Sequence, residues 1–190
     1  MKKLFLLLAL LVTPLLMQVT PLEILKLKTF DYLVPTYQPS GNFVVLDITE
    51  DEVSAEGGWP FPRQRLAEIH NDILQKGALG VGWVLSFVDK ARFGGDSEYI
   101  LAVSQSSSSI VATFSFDNKK YPQPTGTVIL GPDVQGIELP GHLPNIDGVS
   151  GRVLEGVVSA PVDVDNLVRR LPLLYEIPDG WVPSFGTQVL

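Results

Sequence analysis

The chain has no cysteine among its 190 residues, which excludes disulfide bonds, thiolate catalysis and cysteine-based zinc sites. It has only two histidines, His70 and His142, and they stand too far apart for a metal-ligand spacing. Basic residues are also scarce, at 14 against 21 acidic ones, and two of the 14 are Lys2 and Lys3 at the N-terminus. This balance argues against nucleic acid as a partner, because nucleic-acid binding needs a concentrated basic face.

Apolar residues, by contrast, make up 45% of the chain, which is enough to bury a core of ordinary size. Much of the excess lies at the N-terminus, where Lys2 and Lys3 precede an almost unbroken apolar run over residues 4–17. This arrangement is typical of an export signal, whose lysines stay in the cytoplasm.

The run ends without the small residues of a cleavage site, so we predict an uncleaved signal anchor over residues 1–21. The alternatives are a cleaved signal and a buried helix of a soluble protein. An anchor places the chain in a bacterial inner membrane, with residues 22–190 on the periplasmic or extracellular side.

The first part of the exported region predicts a helix followed by a βαβ unit. Residues 22–33 have helical spacing of apolar residues, and the run Phe43–Ile48 favours a buried strand. Pro62 suits the first turn of the next helix, and Leu79–Phe87 reads as a second buried strand. A strand, a helix and a strand of these lengths form a right-handed unit with parallel strands.

The later part predicts a further helix, a strand and a hairpin. Asp96 or Ser97 can cap a helix to about Val103, and Ile110–Phe116 has the pattern of a third strand. Of residues 117–150, only Val128–Leu130 reads as a strand. The turn at Asp163–Asn166 predicts a hairpin between residues 156–159 and 168–175.

The fold class predicted from these elements is α/β: a mixed, mostly parallel sheet with flanking helices and a C-terminal β-hairpin, after an N-terminal transmembrane helix. The segment from Pro183 resembles a helix start, but only a few residues follow it before Leu190. A helix that short is unstable alone, so we expect the domain to be cut off before further membrane spans.

Three blocks of sequence carry a resemblance to a known family. The first runs from Val44 to Glu50 and continues at Gly58–Arg63. The second is Gly77-Ala78 with Gly82–Phe87 and Arg92–Asp96, and the third is Asp165–Arg170 with Pro183-Ser184. Together with the N-terminal segment, these blocks resemble the type-two CHASE domain, the extracellular sensory module of bacterial cyclases, histidine kinases and Ser/Thr kinases. The resemblance covers residues 22–190.

The resemblance implies a sensor without catalytic activity of its own, followed by further spans and a cytoplasmic output module. The sequence departs from the family at Val84, where the family tends to carry an aspartate, and at Asp165-Asn166, where the family has an Asp-Gly turn. The first departure weakens a metal-site hypothesis, because a hard-cation site at Asp47 needs convergent carboxylates from neighbouring strands.

Six residues are candidates for a ligand site, and each also has a structural interpretation. Asp47 could sense a ligand, cap its loop or pair with Arg63. A helix start with an arginine can bind a carboxylate or phosphate, whereas an internal salt bridge explains Arg63 equally well. Trp59 and Phe61 are aromatic residues that could also be packing groups. Asp96 could also cap a helix, and Arg169 is the first of two successive arginines.

Three functions follow from these observations. The first is a ligand-sensing domain of a homodimeric receptor, with an unknown small molecule as its ligand, the membrane as a partner through the N-terminal helix, and no cofactor or bound metal. The second is a periplasmic α/β enzyme such as a metal-dependent hydrolase. The third is a structural domain that only dimerises its receptor.

Overall fold

The computed structural model describes residues 20–36, 38–117, 136–178 and 180–190. The chain divides into two units, one formed by the segments up to Asp47 and Pro161–Arg169, the other by Ile48–Ala160 and Arg170–Leu190. Most of the predicted signal anchor and the predicted strand Val128–Leu130 lie outside the described residues. No helix within the described ranges is both long enough and apolar enough to span a membrane.

In the first unit, helix α1 covers Thr20–Leu33, which confirms the helix predicted there. The strand predicted at Phe43–Ile48 is wrong. Val44 and Val45 are 81% and 90% exposed, and no described strand pairs with this segment. A preference for strands reflects the fit of a side chain to a half-buried pleated surface. The apolar run has the composition of a strand but lacks a neighbouring strand and a covering layer.

The second unit holds the remaining helices and both sheets. Its helices, in chain order, are α2 Glu50–Ala55, α3 Arg63–Gln75, α4 Asp96–Ser104 and α5 Phe185–Val189. Its strands are β1 Val81–Trp83, β2 Ser109–Ser115, β3 Ile137–Glu138, β4 His142–Leu143, β5 Leu154–Val157, β6 Leu174–Ile177 and β7 Gly180–Pro183.

The larger sheet is mostly parallel, as predicted. Strand β2 pairs with β1 and with β5 in parallel, and with β4 in antiparallel orientation. The parallel pair β1 and β2 is joined through α4, so the βαβ unit exists one element later in the chain than predicted. The predicted strand Leu79–Phe87 is reduced to the three residues of β1, and the chain then leaves the sheet.

The smaller sheet has the order β3-β6-β7. It contains the C-terminal hairpin, but the hairpin joins β6 to β7, and the pairing predicted between residues 156–159 and 168–175 is wrong. Residues 154–157 are β5, which pairs with β2 instead. After β7, Ser184 caps α5, because its hydroxyl accepts a hydrogen bond from the Thr187 N–H. The helix start predicted at Pro183 therefore does open a helix, and this helix packs against strands of the second unit.

Two apolar clusters stabilise the second unit. The larger joins helices α3 and α4 to the larger sheet, and the smaller lies around β6 and β7. The apolar stripe of α3 contributes Leu66, which is fully buried, and Ile69, which is partly buried against the same cluster. Pro62 is the N-cap of α3, one position before the first turn in which the sequence predicted it.

Candidate functional site

A cleft of about 300 Å³ opens where α3 begins. One wall is formed by Pro60–Arg63 and the other by Ser86 together with Val88–Phe93. The first wall leads into α3, and the second is the segment by which the chain leaves β1 toward α4. Because both walls belong to the second unit, the shape of the cleft is set by the packing of α3 and α4.

Arg63 is the main cationic group of this cleft. Its side chain is 16% exposed, and its Nε lies 3.6 Å from Oδ1 of Asp96. The guanidinium carbon lies 4.1 Å from the centre of the Phe87 ring, a cation–π contact. Nε is buried and has no hydrogen-bond partner among the described residues. Burial lowers the pKa of Arg63, and the charge of Asp96 only partly opposes this shift.

The carboxylate of Asp96 is hydrogen-bonded to the backbone of the opposite wall. Both of its oxygens accept the Ala91 N–H, at 3.2 and 3.0 Å. Asp96 is the first residue of α4, and Gly95 before it has φ +86°, a left-handed conformation that favours glycine. A side chain at Gly95 would also meet Gln64 N at 2.4 Å. Glycine therefore allows the start of α4 to approach the first turn of α3.

The ring beneath Arg63 is held from both sides. The Phe87 N–H donates to Oδ1 of Asn145 at 2.6 Å, and the Phe87 carbonyl accepts from the Ile146 N–H at 2.7 Å. Asn145 in turn donates to Oε1 of the buried Glu155 at 2.7 Å. The backbone of Phe87 is thus bonded on both sides, and its fully buried ring packs against the guanidinium of Arg63.

Aromatic side chains complete the cleft. Trp59 packs edge-on against Phe61 with ring centres 5.2 Å apart, and Trp59 is half exposed whereas Phe61 is buried. On the opposite wall, Phe93 is 61% exposed, and the Arg92 guanidinium lies 5.5 Å from its ring centre. Each wall therefore combines an apolar face with a cation.

The charge lining the cleft is opposite in sign to that of the chain. Arg63, Lys90 and Arg92 are cationic, and Asp89 is the one anionic side chain of the lining. The whole chain has a formal charge of −7. A local excess of positive charge in an acidic protein favours an anionic ligand and disfavours a metal cation. Among the described residues, no group of three histidine or acidic side chains could hold a metal ion.

The structure gathers some of the predicted site residues and separates others. Phe61 and Arg63 line the cleft, Trp59 packs on Phe61, and Asp96 contacts Arg63. Arg63 pairs with Asp96 where the sequence also allowed Asp47, and Asp47 is exposed in the first unit.

Arg169 lies in the first unit, outside the cleft, in a cluster of three aspartates. It binds Asp31 of α1 through two bonds of 2.7 and 2.8 Å, and Asp165 through two more of 2.8 and 2.7 Å. A fifth bond of 3.1 Å reaches Asp163. Hydrogen bonds to Asp31 and Asp165 raise the pKa of Arg169. The hydrogen bonds that Arg169 donates to Asp165 lower the pKa of Asp165 to about 2. All the bonding capacity of this guanidinium is used within the protein.

The second wall of the cleft was missed by sequence reasoning. The apolar run Leu79–Phe87 predicts one long strand, and this prediction leaves no place for a wall that begins at Ser86. Lys90 was not singled out, and Arg92 and Phe93 entered only as part of a family motif. A basic, an aromatic and two glycine residues close together after a short strand were the available signal.

A buried histidine elsewhere in the second unit superficially resembles half of a hydrolase site. Oγ of Ser109 lies 3.2 Å from Nε2 of His70, and Nε1 of Trp83 donates to Nδ1 at 3.1 Å. Because Nδ1 accepts, the proton of the neutral ring is on Nε2 and faces the serine. Burial lowers the pKa of His70, which favours this neutral form. His70 is therefore a hydrogen-bonded core residue that is fully buried.

Comparison with known proteins gives one match. The family model described as the CHASE2 domain matches residues 5–190, which is all of the chain but its first four residues. No curated protein and no solved structure matches the chain.

Proposed function

This chain belongs to the CHASE2 domain family, and from that premise we propose that it is the ligand-sensing domain of a membrane-bound bacterial signalling receptor. CHASE2 domains are extracellular sensory domains of such receptors. The sensing role of this chain is supported by one observation above all. The cleft at the start of α3 carries a partly buried cation with unused hydrogen-bonding capacity.

In the proposed receptor, residues 1–21 anchor the domain in the inner membrane and the domain works on the periplasmic side as a homodimer. Ligand binding shifts the population between two arrangements of the dimer. The change passes through the membrane to a cytoplasmic adenylate or guanylate cyclase, or to a histidine kinase. The coding sequence after Leu190 tests this: further spans and an output domain are expected, and an immediate stop codon would contradict the receptor proposal.

Ligand sensing is tested by thermal unfolding of the full chain in micelles of an uncharged detergent. The compounds are a panel of amino acids, sugars, nucleosides and organic acids. A compound at 100 times its dissociation constant stabilises the native state by about 2.7 kcal/mol, which corresponds to roughly 5–10 °C in Tm for a chain of this length. We expect at least one compound of the panel to produce such a rise.

A matched pair of variants then locates the response. Val88→Trp places a bulky ring in the cleft wall, whereas Leu79→Trp places the same ring at a site that is 93% exposed and outside the cleft. The rise in Tm should survive in Leu79→Trp and disappear in Val88→Trp. A panel that leaves the Tm of the wild type unchanged throughout would count against direct sensing and favour a domain that only dimerises its receptor.

A further inference from the structure

We propose that the ligand of this cleft is a small organic carboxylate that carries an apolar or aromatic group. The inference rests on the proposed function, since it requires that the cleft bind a ligand at all. It goes further by naming the chemical class that the walls of the cleft would recognise.

Arg63 favours a ligand with an anionic group. A guanidinium has five N–H groups in a planar fork that matches the two oxygens of a carboxylate. The contact with Asp96 is 3.6 Å, longer than a hydrogen bond, and Asp96 already accepts the Ala91 N–H. Nε of Arg63 is buried without a partner. A partly buried cation in this condition is destabilising until an anion joins it.

Two more cations favour a ligand with negative charge. Lys90 and Arg92 lie on the wall opposite Arg63 and are exposed, while Asp89 contributes the single negative charge of the lining. The positive excess attracts an anion toward the cleft from solution and strengthens its binding at low ionic strength. A neutral sugar or nucleoside would leave this excess uncompensated.

The remaining surface of the cleft favours a ligand that also has an apolar group. Phe61 and two prolines line one wall, and Val88 and Phe93 line the other. Phe93 is 61% exposed and Val88 is 38% exposed, so burying them against an apolar group gains hydrophobic free energy. A hydrated inorganic anion would leave these surfaces wet. The volume of about 300 Å³ is at the lower end for small-molecule sites, so the ligand is small.

The test compares four probes by isothermal titration calorimetry on the full chain in the same micelles. Phenylacetate carries both features, phenylacetamide has nearly the same shape without the charge, and acetate and inorganic phosphate have the charge without the ring. We expect phenylacetate to bind at least about 10-fold more tightly than each of the other three, because charge-assisted hydrogen bonds and ring burial each contribute a factor of that order.

Substitutions in the cleft assign the effect to its residues. Arg63→Gln is expected to weaken phenylacetate binding about 10-fold or more, while Arg152→Gln, which removes an exposed arginine outside the cleft, should leave it unchanged. Circular dichroism checks that each variant is folded. If Arg63→Gln does not fold, Lys90→Gln on the exposed wall provides the test, and a loss of about threefold is expected.

Three results would overturn the inference. One is phosphate or acetate binding as tightly as phenylacetate, which would indicate a general anion site. Another is wild-type affinity for phenylacetate in both Arg63→Gln and Lys90→Gln. The last is a panel in which only uncharged compounds give a rise in Tm that Val88→Trp abolishes. In that case the sensing function stands and the ligand class is wrong, so the two proposals fail separately.

Discussion

Arg63 and Arg169 have side chains that are largely shielded from solvent, at 16% and 6% exposed, but their bonding partners differ. Arg169, in the first unit, makes five hydrogen bonds to three aspartates at 2.7–3.1 Å. Arg63, in the second unit, has one aspartate at 3.6 Å and rests on an aromatic ring. Hydrogen bonds raise the pKa of Arg169, whereas burial lowers the pKa of Arg63.

The difference separates a structural cation from a binding cation. A guanidinium whose N–H groups are all used inside the protein has nothing to offer a ligand, and it fixes the segments that it joins, here α1 and the turn at Asp163–Asn166. A guanidinium that is shielded but incompletely bonded is held in place by packing and keeps its bonding capacity for a partner. Both residues were candidates from the sequence, and bonding geometry tells them apart.

The largest effect is expected for Arg169→Met. Methionine retains much of the apolar stem but removes the positive charge of Arg169 from between the carboxylates of Asp31, Asp163 and Asp165, and like charges at that distance repel. We expect Tm to fall by roughly 5 °C or more, with faster hydrogen exchange at the Leu167 amide, which donates to Asp165.

A matched substitution separates repulsion from lost bonding. Asp31→Asn removes one charge from the cluster and retains an oxygen that can accept from Arg169, so its effect should be clearly smaller than that of Arg169→Met. Equal losses in the two variants, or unchanged exchange at Leu167, would show that the cluster does not fix the turn.

Lowering the pH should weaken the cluster of aspartates around Arg169 and so destabilise the native state. The pKa of Asp165 is lowered from 3.8 to about 2, first of all by its hydrogen bonds to Arg169. The pKa of Asp31 is also lowered by its bonds to Arg169. A carboxylate with a lowered pKa stabilises the native state above its ordinary pKa, and this stabilisation is lost as pH falls from about 4 toward 2.

Thermal unfolding at pH 5, 4, 3 and 2 measures this loss. The Tm of Asp165→Asn should begin below that of the wild type at pH 5 and fall less steeply between pH 4 and 2, so that the two curves converge. Arg63→Met, which leaves the bonds of Asp165 intact, should retain the wild-type steepness. Parallel curves for Asp165→Asn and the wild type would contradict the assignment.

The sequence predicted those parts of the fold that depend on local signals. Pro62 and the strand pattern of Ile110–Phe116 predicted the start of α3 and the bounds of β2 within a residue or two, because these signals act within one element. The run Phe43–Ile48 was misread, since its composition favours a strand but pairing depends on a neighbour elsewhere in the chain. The turn at Asp163–Asn166 forms, with the Asn166 N–H donating to the Asp163 carbonyl, yet its flanks pair with other partners or with none.

The candidate site was predicted on one wall only. The succession of aromatic, proline and arginine residues at Trp59–Arg63 marked the first wall by its chemistry. The position of the second wall was not predicted, because it depends on the chain leaving the sheet after Trp83 and on Asp96 holding the Ala91 amide. Neither event has a local signal, and both depend on how α3 and α4 pack together.

The smallest effect is expected for Arg63→Met without ligand. The contact between Arg63 and Asp96 is long and partly exposed, and pairs of this kind contribute about 1 kcal/mol or less. Methionine can keep the packing on Phe87, since sulfur contacts aromatic rings favourably. The free energy of unfolding from urea titration should therefore change by no more than about 1 kcal/mol, even though the same residue is required for binding phenylacetate. A loss of roughly 3 kcal/mol or more would be the behaviour of a buried ion pair that has lost one member. Arg63 would then be a structural cation like Arg169, and the distinction between the two arginines would not hold.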